Sequence, residues 1–182
     1  MDGVSIISLN GKTPVIHPTA FVAPGCRLIG DIEIGPDSSI WYNCVLRADV
    51  NFIRIGARTN IQDGTVIHVD SPRLPGDAGQ PTIIGDDVLI GHMAMVHGCV
   101  LEDRAFVGLG AIVMDGGHIE SDGMLAAGAM MTPGKHIGAG ELWAGRPAKL
   151  LRMLSDAERA GNQLGVAHYV ENARMHRAAN GG

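Results

Sequence analysis

The sequence predicts a mainly β fold, a parallel β-helix wound from six-residue repeats with an α-helix packed along it at the C-terminal end. Three observations predict it. An aliphatic residue returns at every sixth position through most of the chain, and a small or β-branched residue follows four places behind it. Glycine, with 26 of the 182 residues, is far above its usual share while proline, at 9, is not, so the backbone turns often without collagen-like or disordered composition.

The large aliphatics run Ile16, Val22, Leu28, Ile34, Ile40 and Leu46, slip by three residues, and continue as Ile55, Ile61 and Ile67. After an interruption they resume at Ile84, Ile90 and Val96, shorten one step to Leu101, and proceed through Val107, Val113, Ile119, Leu125, Met131, Ile137 and Trp143. The fifth position of the hexads carries Ala20, Ser38, Thr59, Thr65, Ala94, Ala105, Ala111, Gly117 and Ala129, so each repeat offers the interior one large and one small side chain. Gly30, Asp31, Gly35, Gly56, Gly85, Asp86, Gly108 and Gly110 gather between these slots, where a tight corner calls for positive φ or a side-chain-stabilised turn. A short strand and a corner every six residues build a triangular coil of three hexads, its flat faces parallel sheets and its large aliphatics a continuous stack. A β-sandwich alternates over longer runs and does not hold such a phase.

The β-helix is expected over residues 1–148, with one loop excursion near 69–82, the stretch that holds Ser71, Pro72, Pro75, Gly76, Gly79 and Pro81. Cys26 and Cys44 occupy the fifth position of hexads one coil apart and should stack inside the prism; Cys99 is assigned to packing as well. From Lys149 the phase is lost, and Leu150, Leu151, Leu154, Leu164, Ala167, Val170 and Met175 fall at spacings nearer the helical period. A helix is expected over this final segment, 149–182. Ser155 followed by Glu158 forms a capping-box pattern, which starts the main helix near Asp156 and lets it fray before Asn180.

A composition 46% hydrophobic and 18% charged is that of a globular chain. A net charge of -5 with scattered Lys and Arg, and only 4% aromatic residues, leaves neither a basic stripe nor stacking platforms for nucleic acid. Met1 to Lys12 lacks the pattern of a secretory leader, and nowhere do about 18 apolar residues run uninterrupted. Three irregularly spaced cysteines build neither a disulfide framework nor a thiolate zinc knuckle, and a cytoplasmic setting is expected.

The register places side chains. Every third hexad returns to the same face about 4.8 Å higher. His68 and His97 are each the second residue of hexads one coil apart, the loop excursion accounting for their longer separation in sequence, and Arg47 holds the same position one coil below His68. His92 is third in its hexad and belongs to a neighbouring face, with Asp63 beneath it. Two stacked imidazoles can converge on one zinc, whereas a third on another face of a rigid prism is more easily supplied by a second subunit about a threefold axis. Three neutral nitrogen ligands leave a fourth position open, as in catalytic zinc. His17, His118, His136, His168 and His176 read as ordinary surface histidines.

The stretches SIWYNCVLRAD (Ser39 to Asp49), NIQDGTVIH (Asn60 to His68), IGHMAMVHGC (Ile90 to Cys99), VGLGAIVMDG (Val107 to Gly116) and LWAGRPAK (Leu142 to Lys149) resemble the γ-class carbonic anhydrases of the hexapeptide-repeat superfamily. The resemblance implies left-handed coils and a homotrimer that hydrates carbon dioxide reversibly to bicarbonate with a metal-bound hydroxide. It makes His68, His92 and His97 the metal ligands, the first and last from one subunit and His92 from its neighbour. Gln62 resembles the residue that hydrogen-bonds the metal-bound water or bicarbonate, and Asp63 a nearby orienting carboxylate. Arg47 and Asp49 match an intersubunit ion pair that helps hold bicarbonate, Asn60 a residue behind the ligands, and Tyr169 a tyrosine that some relatives bring close to the metal. The implied metal is Zn2+, with Fe2+ or Co2+ equally suited to imidazole donors. The sequence departs from the family archetype at Val50, where a proton-carrying glutamate is expected, and its long loop holds Asp70 and Asp77 but no glutamate.

Two other readings stand beside this one. Coenzyme-A-dependent acyltransferases use the same fold with a lone histidine as general base, and related metal-bearing chains carry thioesterase or accessory roles in catabolic operons. A non-catalytic trimeric scaffold tied by metal is the alternative outside catalysis; full protein coordination of the metal would mark it.

Overall fold

In the computed structural model, which describes residues 3–180, hydrogen bonding follows the aliphatic series from coil to coil. Ile16 pairs with Ile34, Ile34 with Ile55, Ile55 with Ile84, Ile84 with Leu101, Leu101 with Ile119 and Ile119 with Ile137. A second column runs Val22, Ile40, Ile61, Ile90, Val107, Leu125 and Trp143. The third runs Leu28, Leu46, Ile67, Val96, Val113 and Met131. These columns are the three faces of a left-handed parallel β-helix. Two faces join into one 12-stranded sheet because strands Arg27–Ile34 and Val45–Ile55 run on around a corner, and the third is an 8-stranded sheet.

Leu28, Leu46, Ile67, Val96 and Val113 are fully buried, and with their counterparts on the other faces they form one core along the axis. Cys26 and Cys44 lie in that core as expected. Their thiols donate to the carbonyls of Trp41 at 2.9 Å and Gln62 at 3.1 Å. The hydrogen bond with Cys26, together with burial, pushes the Cys44 thiol up, and burial does the same to Cys99. All three are packing residues.

The corners differ in one respect from the sequence expectation. Gly30 and Gly110 have positive φ, but Gly35, Gly56, Gly85 and Gly108 do not; several corners place Asp37, Asn43, Asp87, Met93 or Asp122 in the left-handed region instead. Gly35 is required for a different reason. A Cβ there would stand 2.5 Å from the Gly56 carbonyl oxygen one coil up, so the glycine permits close stacking of backbones rather than an unusual turn.

The excursion leaves after strand Val66–His68, is pinned by an antiparallel bridge between Asp70 and Gln80, and has rejoined the coil by strand Thr82–Ile84, so Thr82 belongs to the sheet. The C-terminal segment begins as a strand rather than a helix. Ala148–Met153 folds back antiparallel on Glu141–Gly145, closing the last coil and leaving Leu150 and Leu151 exposed. The helix then spans Asp156–Ala179, with Ser155 as N-cap and the full capping box to Glu158. Its inward residues are Val166 and Ala173, not the exposed Leu164 and Met175. The physical reason lies in what it covers. The outer side of the 8-stranded sheet presents Phe21 and Trp41, bulky rings that leave room for small helix residues and for Tyr169 turned edge-on, 5.3 Å from Trp41 between ring centroids.

Candidate metal centre

Strands Val66–His68 and Met95–His97 pair in parallel with His68 directly opposite His97. The imidazoles meet at 62° with centroids 4.9 Å apart, and Nδ1 of His68 faces Nε2 of His97 at 2.9 Å. Each ring has a carboxylate behind it. Nε2 of His68 donates to Asp49 at 2.8 Å, and Nδ1 of His97 donates to Asp115. Within the chain Arg47 pairs with the other oxygen of Asp49. Burial drives the Asp49 carboxyl upward, but the hydrogen bonds from His68 and Arg47 outweigh it and the net shift is down. The side chain of His68 is 17% exposed, so the pair is sheltered while still open to a ligand.

His92 stands on the neighbouring face, at a corner where Met93 takes positive φ and donates its N–H to the Asp63 carbonyl at 2.9 Å. Asp63, one coil below as the register requires, places its Oδ2 2.8 Å from His92 Nδ1. Tyr169 reaches over from the helix and brings its hydroxyl to 3.3 Å from His92 Nε2. Burial raises the Tyr169 phenol, and the charge of Asp63 adds to that.

Gln62 and Asn60 lie on the sheet beneath the helix, 4% and 1% exposed. Nε2 of Gln62 donates to Oδ1 of Asn60 at 3.0 Å, while Nδ2 of Asn60 is buried without a partner. A buried amide left unpaired costs free energy, so Asn60 Nδ2 is the donor on this strip that an acceptor would satisfy.

The predicted residues therefore form two groups. Among the described residues no set of three or more His, Cys, Asp or Glu side chains is close enough to hold a metal within one chain. The donor chemistry nonetheless fits an imidazole-bound divalent ion. Two nitrogens on one tetrahedral zinc stand roughly 3.4 Å apart, close to the separation of the His68 and His97 nitrogens, and carboxylates on the remaining ring nitrogens are the usual means of orienting metal-binding histidines.

Asp115 was not among the residues found from sequence. Val113 pairs with Val96, so Asp115 sits one residue beyond the position that matches His97, and a search for identical hexad positions passes over it. Of the remaining histidines, His118 and His136 pair with Glu102 and Glu120, each at 2.8 Å, and His176 bonds the Tyr42 hydroxyl at 2.9 Å.

Comparison with known proteins bears on what this arrangement serves. The chain is 46% identical over 176 residues to gamma carbonic anhydrase 1, mitochondrial, of Arabidopsis thaliana, a match covering 97% of this chain and 64% of that protein. It is 44% identical over 176 residues to gamma carbonic anhydrase 3, mitochondrial, of the same plant, covering 97% and 68%. The chain thus spans less than two thirds of the length of the first of these relatives. Among solved structures, a hexapeptide transferase family protein from Anaplasma phagocytophilum superposes with a TM-score of 0.88 at 44% identity, over 96% of this chain and 99% of that one. No family model matches the chain.

Proposed function

The chain belongs to the gamma carbonic anhydrase family, and from that premise we propose that it hydrates carbon dioxide reversibly to bicarbonate at metal sites shared between subunits of a homotrimer. The observation that carries this reading is the division of the three histidines: His68 and His97 face one another on one face, while His92 is presented at a corner of the next. A threefold assembly that brings the His92 corner of one subunit to the His68 and His97 pair of its neighbour completes a three-nitrogen site with one position open.

His68 and His97 of one subunit and His92 of the next would hold the metal, which when bound supplies a nucleophile from water at neutral pH. Asp49 and Asp63 fix the orientation of His68 and His92 from behind. Gln62, held by Asn60 in a water-poor strip, orients the reacting water through its amide. Arg47 places a guanidinium beside Asp49 and offers the charge that retains bicarbonate until release.

The similarity to a hexapeptide transferase family protein favours one second reading, acyl transfer from coenzyme A. That chemistry needs one histidine as base and no metal. Anaerobic purification, metal analysis and stopped-flow carbon dioxide hydration with zinc, iron(II) or cobalt(II) restored separate the two. Hydration above background with any metal supports the proposal; background rates with all three, alongside turnover of acetyl-coenzyme A, would replace it by the second reading.

A further inference from the structure

We infer that Asp115 is the positioning carboxylate of His97, fixing which ring nitrogen faces the metal and so setting the affinity of the site; this rests on reading His97 as a ligand. Three features built into different parts of the fold converge on it. Asp115 Oδ1 accepts from His97 Nδ1, which leaves Nε2, the atom that faces His68, as the nitrogen carrying the lone pair. Gly98, immediately after His97, clears the path for the carboxylate. A Cβ there would stand 2.8 Å from Asp115 Oδ1 and 2.9 Å from Gln80 Cβ, at a φ of +50° that side chains seldom adopt. The excursion then supplies a countercharge. Arg73 binds Asp70 at 2.8 Å and reaches to 3.9 Å from Asp115 Oδ2, on the oxygen that His97 does not use.

Asp115 and His97 line one surface cleft together with Met95, Ile112 and Met114. The loop is thereby connected to a ligand through a single carboxylate. Asp115 acts through His97 and has no place among the ligands themselves.

The test measures cobalt(II) and zinc affinity by chelator competition, at fixed pH, for the unaltered chain, Asp115→Asn, Asp115→Ala and His97→Ala, with the visible spectrum of the cobalt form and circular dichroism of each. Removing such an outer carboxylate weakens metal binding by about 10- to 100-fold, so Asp115→Ala should fall in that range with the β-helix intact. Asp115→Asn keeps an oxygen that accepts from Nδ1 and should recover part of the loss together with the cobalt spectrum. It decides the matter if the alanine variant does not fold. Affinities of both Asp115 variants within about twofold of the unaltered chain would overturn the inference while leaving the site reading intact. Absence of metal uptake by the unaltered chain, or undiminished uptake by His97→Ala, would overturn the site reading and this inference with it.

Discussion

At the scale of single residues, the groups that matter are those whose hydrogen bonds leave an atom free for something else. His97 spends Nδ1 on Asp115 and keeps Nε2 toward His68. His97→Ala should abolish stoichiometric metal, checked by elemental analysis, while leaving the β-sheet circular dichroism unchanged. The proton route is the weak point of the site. Asp77 accepts the backbone N–H groups of Arg73 and Gly79, and these bonds hold its carboxyl low. Asp70 is engaged by Arg73 and the N–H of Ser71. With its carboxyl held low, Asp77 is poorly placed to carry protons near neutral pH, and Val50 has no proton to offer. Turnover should therefore rise with the concentration of an added imidazole buffer, and a rate independent of buffer would show that another group on the chain carries the proton. Residue identities told much of this. His68, His92, His97 and Asp63 were legible because the hexad phase converts sequence position into face and height. Asp115 was not, because it sits one residue beyond the hexad position that matches His97.

At the scale of elements, two kinds of segment behave differently. The coils are specified by stacking. Leu46 is fully buried between Leu28 and Ile67, and Leu46→Ala should cost about 2 to 5 kcal/mol, measured by denaturant unfolding. The C-terminal helix is specified at its start. Ser155→Ala removes the cap and should cost about 1 kcal/mol. Glu158, bonded by Arg152 and by the N–H and hydroxyl of Ser155, has its carboxyl held down to about 2. Its folded pKa lies below its unfolded one, so the stabilisation is complete above the ordinary carboxylate range and is lost as pH falls through about 2. Helical circular dichroism followed over that acid range should decline less steeply in Glu158→Gln than in the unaltered chain. The helix start was legible from its capping pattern, whereas its inward face was not. Spacing alone does not reveal that Trp41 and Phe21 are the surface to be covered, and a surface of large rings accepts Ala173 more readily than Leu164.

At the scale of the whole molecule, the fold is a ruler on which every third hexad marks one more coil, and the ruler assigns His92 to a different face from the other two histidines. All three columns of aliphatics read from sequence coincide with the pairing in the structure, because a solenoid makes its long-range contacts at a fixed sequence interval. Contacts between chains obey no such interval, and the assembly follows only from asking where the third nitrogen comes from. Complementation addresses that question directly. His92→Ala and His97→Ala homo-oligomers should each lack complete sites, whereas unfolding, mixing in equal amounts and reassembling them should restore metal and carbon dioxide hydration to about a quarter of the unaltered level, the fraction expected from random assortment around a threefold axis. Mixed oligomers that regain neither metal nor activity, although unaltered protein taken through the same cycle regains both, would contradict a site shared between subunits.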